Sequence, residues 1–320
     1  MKRLFFFPLL VTLLLGAIQN SASAANNCTF STSGSTMTLQ GDCTTDASIM
    51  VPDGMTLNGN GYTLTAVDPS GNHFRGGVVR NGGASANVVN LTVTTLNLSN
   101  VCDAGDDRLR GILFDGASGK ILDNTIVNLN QGASGCQEGN AIEVRNFGAN
   151  PNRLQVEISG NTLSNYQKSG IVVNGDADGD IHHNTVGASA TQANLAANSV
   201  QVGFGAKGNV TNNHVAGNSW CCVDAAATAI LLFQAAPGTL VRHNNLMDGN
   251  ADVGIYIEAD GVSVDNNRVF ESGPDGYYDV GLGDYGTGNA VTNNKVRGYS
   301  TSYEGVSSGN NKSIPSPHDQ

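Results

Sequence analysis

Three charged residues occupy corresponding positions in two neighbouring segments of the chain. Asp115 ends the segment GILFD (111–115), and Glu143 and Arg145 alternate with aliphatic residues in AIEVR (141–145). Such alternation predicts that the charges point outward from adjacent strands. Paired carboxylates can hydrolyse a glycosidic bond, and an arginine beside them can neutralise a uronate carboxylate or assist proton abstraction next to it. Arg145, Glu143 and Asp115 are therefore the candidate catalytic residues; the alternative is an exposed ion-pair group without a chemical role.

Acidic residues in the adjoining loops suggest a cation site. The segment CDAGDDRLR spans residues 102–110, and Glu138 lies in the following loop. Grouped carboxylate oxygens are ligands that suit Ca²⁺. Asp106, Asp107 and Glu138 are thus the predicted metal ligands, and Ca²⁺ is the one cofactor that the sequence suggests.

A second group combines tyrosines with carboxylates in the C-terminal part of the chain. The segment DGYYD spans residues 275–279, and Tyr256 and Glu258 alternate in an earlier segment. Tyrosine rings stack on sugars, and polar groups beside them recognise sugar hydroxyls. The candidate substrate-binding residues are Tyr256, Glu258, Tyr277, Tyr278 and, in a separate loop, Trp220. The alternative is that these residues only pack loops over the end of the fold.

A repeated six-residue motif organises the elements that must position these side chains. It reads aliphatic-x-x-Asn-x-aliphatic and recurs from ILDNTI (121–126) to VTNNKV (291–296). LNGNGY (57–62) also fits, and VTTLNL (93–98) fits with Leu96 in place of Asn. A segment of the form aliphatic-x-aliphatic precedes the motif in each repeat, and its first aliphatic residue stands at positions 112, 142, 171, 200, 230, 255, 280 and 306.

The repeat predicts the fold. Alternation with a period of two indicates strands, and the spacing of 25–30 residues between repeats is typical of one coil of a parallel solenoid. We therefore expect an all-β parallel solenoid of about nine coils. The short Asn side chain tolerates the left-handed backbone of a sharp corner, and its amide can bond the Asn of the next coil. The expected internal Asn ladder consists of Asn124, Asn161, Asn184, Asn213, Asn244, Asn267 and Asn294.

This pattern resembles the right-handed parallel β-helix of the pectate-lyase-like superfamily. The resemblance covers residues 51–310 and begins at VPDGMTLNGNGYTL (51–64). It implies that the Asn corner joins the second and third strands of each coil, that long loops lead from the third strand to the first, and that a binding cleft lies on the outer face of the first strands. The superfamily includes polysaccharide lyases, glycosidases, uronate epimerases, esterases and non-catalytic surface proteins, so the fold selects no reaction. The motifs typical of polygalacturonases, alginate epimerases and pectate lyases are absent from the sequence.

The remaining segments predict export. Lys2 and Arg3, an apolar run over 4–18 and Ala-Ser-Ala at 22–24 are typical of a secretory signal peptide. The predicted organisation is a signal peptide (1–24), an N-terminal cap (25–50), the β-helix (51–310) and a C-terminal tail (311–320). We expect a secreted or periplasmic protein with no membrane span once the signal is removed. The formal net charge of −11 argues against nucleic acid as a partner.

Export favours disulfides among the six cysteines. Cys28 and Cys43 are expected to staple the cap. Cys102 and Cys136 fall in equivalent loops of consecutive repeats, which favours their pairing. Cys221 and Cys222 are adjacent and could form a vicinal disulfide or remain two thiols.

These observations predict an exported β-helix protein that binds or processes an extracellular or envelope polysaccharide. If it is catalytic, a lyase-like reaction on a uronate polymer or a glycosidase-like reaction is expected. The alternative function is that of a non-catalytic structural or adhesive surface protein. The expected partner is a polysaccharide, and the sequence does not predict the oligomeric state.

Overall fold

The structure, a computed structural model, describes residues 26–132, 134–190, 195–222, 224–247, 249–271, 278–307 and 309–315. The predicted signal peptide, Tyr277 and the end of the tail (316–320) lie outside these residues. The described part of the chain is almost entirely strand and turn, with a single 3₁₀ turn at Gly105–Asp107. It has no apolar helix of membrane-spanning length.

The strands are short and follow one another along the whole described chain. The first eleven are β1 (Phe30–Ser33), β2 (Thr36–Leu39), β3 (Cys43–Thr45), β4 (Ile49–Val51), β5 (Met55–Asn58), β6 (Thr63–Ala66), β7 (Gly77–Asn81), β8 (Ser85–Val89), β9 (Thr92–Thr95), β10 (Arg110–Asp115) and β11 (Ser118–Leu122). The next eleven are β12 (Thr125–Val127), β13 (Asn140–Asn146), β14 (Leu154–Ser159), β15 (Thr162–Ser164), β16 (Ser169–Gly175), β17 (Ala177–His182), β18 (Thr185–Val186), β19 (Asn198–Gly203), β20 (Lys207–Thr211), β21 (His214–Val215) and β22 (Thr228–Phe233). The last ten are β23 (Leu240–Arg242), β24 (Asn245–Leu246), β25 (Val253–Glu258), β26 (Ser263–Asp265), β27 (Arg268–Phe270), β28 (Val280–Asp284), β29 (Ala290–Thr292), β30 (Lys295–Arg297), β31 (Thr301–Glu304) and β32 (Lys312–Ser313).

These strands form three sheets that the chain visits in turn. In the described residues, the first sheet runs from β4 through β7, β10, β13 and every third strand to β31. The second sheet begins with β1 antiparallel to β2 and runs through β5 and β8 to β29, and the third runs from β3 through β6 to β30 and β32. Every other pairing is parallel and in register from coil to coil, as with Ile112, Ile142 and Ile171. This topology is a parallel β-helix, which confirms the predicted fold class.

The core consists of aliphatic side chains stacked along the helix axis. On the first sheet, Ile112, Ile142, Ile171, Val200 and Ile230 lie directly above one another and are fully buried. Each buried aliphatic side chain contributes about 1.5–3 kcal/mol relative to an exposed one. Because the stack is continuous, the positions of the outward side chains between them are fixed as well.

The Asn ladder is confirmed and is longer than predicted. In each step, both the backbone N–H and the amide Nδ2 of one Asn donate to Oδ1 of the next, as from Asn161 to Asn184 at 3.0 and 2.9 Å. Nδ2 also donates to a carbonyl of the preceding coil, such as that of Ile121 at 2.9 Å. Asn311 adds a further step beyond Asn294. The sequence did not reveal it because no aliphatic residues flank it at the motif spacing.

Two details of the corner differ from the prediction. The left-handed conformation is adopted by the residue before the ladder Asn, as at Asp123 (φ 55°) and His183 (φ 54°). Each ladder Asn turns its side chain into the core instead, so the two tasks fall to adjacent residues. In the coil that precedes Asn124, the ladder position is occupied by Leu91 and not by Leu96. The N–H of Leu91 donates to Asn124 Oδ1 at 3.1 Å.

The register of the last coils also differs from the prediction. Leu282, and not Val280, stands opposite Ile255, and Tyr303, rather than Val306, stands opposite Leu282. Gly281 faces inward, where a Cβ would lie 2.2 Å from the Val296 side chain. The outward positions of these coils are therefore Gly283, Tyr285 and Glu304 instead of Gly281 and Gly283.

All six cysteines lie in disulfides. Cys28 pairs with Cys43 and Cys102 with Cys136, as expected. Cys221 and Cys222 form the vicinal disulfide, so the alternative of two thiols is wrong in this structure. The second bridge joins the loops that precede β10 and β13, the two strands that carry the candidate catalytic residues.

Candidate functional site

A cleft of about 370 Å³ lies on the outer face of the first sheet, across β10, β13, β16 and β19. The loop that contains the 3₁₀ turn and the loop before β13 form its walls. Its lining residues are Gly105, Arg108, Arg110, Gln137, Asn140, Glu143, Arg145, Phe147, Lys168, Ser169, Val172, Asn174, Gln201 and Phe204. The charged members are four cations and a single carboxylate, that of Glu143.

Glu143 is held between an arginine and an amide. Arg110 Nε donates to Glu143 Oε2 at 2.7 Å, and Asn140 Nδ2 donates to the same oxygen at 2.7 Å. Both side chains of the ion pair are buried. These two bonds hold the carboxylate against Arg110, so Glu143 positions this arginine in the cleft.

Arg145 is the centre of a second ion-pair group. Its Nη2 donates to Asp115 Oδ2 at 2.8 Å and to Asp106, and its Nη1 lies 3.8 Å from Glu143 Oε1. Burial opposes the charge, but the hydrogen bond and charge of Asp115 raise the pKa of Arg145 above its ordinary value. The hydrogen bond from Arg145 in turn lowers the pKa of Asp106. Arg145 is therefore fixed as a cation.

The predicted trio does lie on one face, but not as an exposed group. Asp115 stands directly opposite Arg145, and Leu113 stands opposite Glu143. Glu143 is only 5% exposed and Arg145 only 8%, because the loops over the first sheet cover them. The alternative is thus correct in pairing charges of adjacent coils, as Asp115 with Arg145, but wrong in placing this pair at an exposed surface. Asp115 also bonds Arg80 at 3.4 Å and does not line the cleft, so its contact is with Arg145 and not with a ligand there.

Lys168 is a charged residue of the cleft that sequence analysis did not identify. It precedes β16, and its Nζ donates to the carbonyl oxygen of Ala196 at 2.5 Å. Among the described residues it takes part in no ion pair. Burial alone lowers the pKa of its ammonium group from 10.5 to about 8. Its sequence signal was slight, a lysine just before the segment SGIVV (169–173).

Three phenylalanines form a row along one edge of the cleft. Phe147 and Phe204 are 64% and 46% exposed, which is unusual for large apolar side chains. The rings of Phe147 and Phe204 pack edge to face at 6.3 Å between centroids, and those of Phe204 and Phe233 at 5.2 Å. Sequence reasoning placed Phe233 outward but did not reveal the row, because Phe147 and Phe204 lie in turns.

The predicted tyrosine group is partly assembled further along the same face. The rings of Tyr256 and Tyr285 lie 4.9 Å apart, and Tyr256 Oη donates to Glu258 at 3.3 Å. Burial, followed by the charge of Glu304, raises the pKa of Tyr285 to about 12, so its phenol is neutral. Tyr278 is 37% exposed. Trp220 is not part of this group; its Nε1 donates to Asp224 at 3.2 Å.

The predicted Ca²⁺ site is not assembled by the structure. Both oxygens of Glu138 accept backbone N–H groups, from Asp103 and, at 2.8 Å, from Leu109. Asp106 bonds Arg145, and Asp107 lies 4.0 Å from Arg75. Across the described ranges, no three His, Cys, Asp or Glu side chains are grouped so that they could hold a metal ion. The carboxylates predicted as ligands instead hold the loops and arginines in place.

A groove of about 570 Å³ lies on the outer face of the second sheet, across β11, β14, β17 and β20. Its charges are largely paired with one another. Lys120 Nζ lies 2.8 Å from Glu157, and Arg153 at its edge lies 2.5 Å from Asp178. The hydrogen bond from Lys120 lowers the pKa of Glu157. The groove thus presents no comparable excess of one charge.

Comparisons with solved structures return β-helix proteins of distant sequence. A mutant of the periplasmic alginate epimerase AlgG is 11% identical, with 83% of this chain and 63% of that chain covered and a TM-score of 0.40. The A-module of the mannuronan C-5 epimerase AlgE6 from Azotobacter vinelandii is 14% identical, with 89% and 91% covered and a TM-score of 0.33. The receptor-binding protein of bacteriophage Det7 is 9% identical, with 85% and 68% covered and a TM-score of 0.25. This chain spans less than two thirds of the AlgG chains that it matches.

No curated protein sequence matches the chain. The family model described as a right-handed β-helix region matches residues 110–314, which is well over half of the sequence. The matched residues include the Asn ladder, the tyrosine group and the cleft residues from Arg110 onward. From the three parallel sheets and this match, we conclude that the chain belongs to the right-handed β-helix family.

Proposed function

We propose that this protein is an exported binder of acidic polysaccharide, and that a uronate residue of the polymer occupies the cleft on the first sheet. One observation carries the proposal: Lys168 is a partly buried cation without an ion-pair partner among the described residues, in a cleft that it shares with Arg108, Arg110 and Arg145. The whole chain has a net charge of −11, so a cationic cleft runs against its overall composition.

An anionic ligand accounts for this arrangement in physical terms. Removing an ammonium group from water is unfavourable unless an opposite charge compensates for it. Arg145 and Arg110 already have carboxylate partners, whereas the one side-chain partner of Lys168 within the described ranges is the carbonyl of Ala196. A ligand carboxylate that enters the cleft would supply the missing negative charge and accept charge-assisted hydrogen bonds.

The phenylalanine row favours a sugar acid over a simple anion. Phe147 and Phe204 are exposed on the rim, within the lining of the same cleft. Aromatic rings stack on the apolar faces of sugar rings, while the amides of Asn174 and Gln201 offer partners to hydroxyl groups. The three disulfides support an oxidising location outside the cytoplasm.

A lyase-like reaction is the finer form of this proposal. The neutral form of Lys168 would accept the proton next to a uronate carboxylate whose charge a guanidinium neutralises. The C–H electron pair would form a carbon–carbon double bond, the glycosidic C–O bond would break, and the leaving oxygen would take a proton. Glu143 is poorly suited to this role because Oε2 accepts two hydrogen bonds. Those same fixed ion pairs favour the alternative, a non-catalytic adhesive protein that only binds the polymer.

The test compares ligands and variants in parallel. Binding of polygalacturonate and of neutral dextran is measured by calorimetry for the wild type, Lys168→Met and the control Lys207→Met on the second sheet. We expect polygalacturonate to bind and dextran not to bind, with affinity lost only in Lys168→Met. Ultraviolet absorbance of unsaturated products then separates elimination from binding alone. Equal binding of both polymers, or full binding by Lys168→Met, would contradict the proposal.

A further inference from the structure

The outer face of the first sheet changes its chemistry along the stack of coils. One outward column runs in register from Arg145 through Asn174, Gly203 and Phe233 to Glu258. Its β13 end faces the cationic cleft, and its β25 end carries a carboxylate. Four strand spacings separate the two, which is about 19 Å.

Aromatic rings connect these two ends without a long interruption. The row of Phe147, Phe204 and Phe233 begins at the cleft and reaches β22. On the next two strands the paired rings of Tyr256 and Tyr285 follow. An extended polysaccharide advances by about one strand spacing per sugar, so a chain that leaves the cleft along this face would meet an aromatic ring on most coils.

The far end of this path carries the carboxylates of two glutamates, Glu258 and Glu304. Glu258 lies beside Phe233 in the outward column, and Glu304 stands opposite Gly283 on the neighbouring outward column. In the part of the chain that the structure describes, neither glutamate forms an ion pair. A uronate placed there would meet like charges, whereas a neutral sugar could donate its hydroxyl hydrogens to these carboxylates and stack on Tyr256.

We infer that the ligand is a heteropolysaccharide in which neutral sugars separate the uronate residues, and not a polymer of uronate alone. One uronate occupies the cleft around Lys168, and the neutral sugars that follow lie along the phenylalanines and tyrosines toward Glu258 and Glu304. The inference rests on the proposed function of the cleft and adds the composition of the polymer. The face thus selects its ligand by attraction at one end and by repulsion of further acids at the other.

The experiment uses three carbohydrate probes that differ in length and in the spacing of their charges. A galacturonate trisaccharide is short enough to test the cleft alone. Polygalacturonate carries a charge on every sugar, whereas highly methyl-esterified homogalacturonan carries long runs of uncharged sugars between its free uronates. At equal ionic strength and per binding site, we expect the wild type to bind the esterified polymer about tenfold more tightly than polygalacturonate.

Matched variants separate repulsion from net charge. Glu258→Gln combined with Glu304→Gln should strengthen binding of polygalacturonate about tenfold. The same variant should weaken binding of the esterified polymer, because a neutral amide accepts weaker hydrogen bonds from sugar hydroxyls than a carboxylate does. The control, Glu157→Gln with Asp180→Asn, removes the same two charges from the second sheet and should change neither. Thermal unfolding of all variants checks that the fold is retained.

The outcomes distinguish the two proposals. If the trisaccharide binds in a Lys168-dependent manner but polygalacturonate binds as tightly as the esterified polymer, or the glutamate variant does not differ from its control, the inference is wrong and the proposed function stands. If the trisaccharide does not bind, or binds equally well to Lys168→Met, the proposed function fails and the inference fails with it.

Discussion

Two concave surfaces on the same β-helix differ in how their charges are paired. The groove on the second sheet has a volume of about 570 Å³, against about 370 Å³ for the cleft on the first sheet. Yet Lys120 and Glu157 in the groove neutralise each other at 2.8 Å, whereas Lys168 in the cleft has, in the part of the chain that the structure describes, only a carbonyl partner. Both surfaces are built from outward positions of stacked strands.

The difference comes from what covers each sheet. The loops that lead into the first strands fold over the first sheet and remove its charges from water, so Arg145 is 8% exposed. The second sheet is joined to its neighbours by short turns, and the Lys120 side chain remains 57% exposed. An unpaired charge therefore costs more free energy on the covered first sheet than on the exposed second sheet. Burial and charge pairing therefore indicate a ligand site here better than volume does.

Replacement of Arg145 should give the largest effect. Arg145→Ala removes the buried partner of Asp115, whereas Glu143 keeps its ion pair with Arg110, so the free energy of unfolding should fall by about 3–5 kcal/mol. Chemical denaturation measures the change, with Lys120→Ala as the counterpart in the groove. If the free energy of unfolding falls by less than about 1 kcal/mol, the ion pairs of Arg145 contribute no more than exposed ones do, and the contrast between the two surfaces is wrong.

Replacement of Lys168 should change stability and binding in opposite directions. Lys168→Met removes a poorly solvated cation, so the free energy of unfolding should rise by about 1–3 kcal/mol. Affinity for an acidic polysaccharide should fall about 10–100-fold, because a charge-assisted contact is lost. Denaturation and calorimetry on one preparation measure both. If stability falls together with affinity, Lys168 supports the fold and is not a ligand contact.

The pH dependence of binding should identify the same group. The ammonium group of Lys168 has a pKa near 8 in the protein, below the ordinary 10.5, and is fully charged only below that pH. A bound carboxylate raises this pKa, so binding should take up protons between about pH 8 and 10 and weaken as the pH rises. Calorimetry in two buffers of different ionisation enthalpy measures the uptake.

The folding of the unliganded protein should follow the opposite trend in that range. Between the two pKa values the unfolded chain binds the proton and the folded chain does not, so the free energy of unfolding should increase with pH. Lys168→Met should abolish the proton uptake on binding. It should also remove the contribution of Lys168 to the increase in the free energy of unfolding with pH. Persistence of either in the variant would assign the titration to another residue.

Replacement of Lys120 should give the smallest effect. The pair with Glu157 is exposed and screened by salt, so Lys120→Ala should cost about 0–1 kcal/mol of stability. Binding of acidic polysaccharide should not change, because the groove is on another face. A clear loss of binding in Lys120→Ala would move the ligand to the second sheet.

The sequence predicted the repeating parts of this molecule well and its irregular parts less well. Seven ladder asparagines and the outward places of Asp115, Glu143 and Arg145 follow from a motif that recurs in every coil. The errors fall where the repeat is interrupted: Leu96 was placed on the ladder instead of Leu91, and Val280 was aligned where Leu282 stands. A glycine such as Gly281 satisfies the motif in either register, because it has no side chain to reveal which face it occupies.

The candidate site divides in the same way. Glu143 and Arg145 were found because they lie within strands, whose period reveals the face of each residue. Lys168, Phe147 and Phe204 were not found because they lie in turns and loops, where the sequence has no period. The covering loops also decided the exposure of Arg145, and local alternation contains no information about them.

By itself, the sequence determined the architecture: strand alternation and a recurrent Asn corner admit few folds other than a stack of coils, because each coil can bury its aliphatic face only against the next. It also determined which charged residues are neighbours on the first sheet. Only the tertiary structure decided that Arg145 is buried, that both oxygens of Glu138 accept backbone N–H groups of a loop, and that Lys168 lies in a cleft where no described residue forms an ion pair with it. These properties depend on contacts between loops far apart in sequence, and desolvation by such contacts, not residue type, sets the cost and the reactivity of a charge.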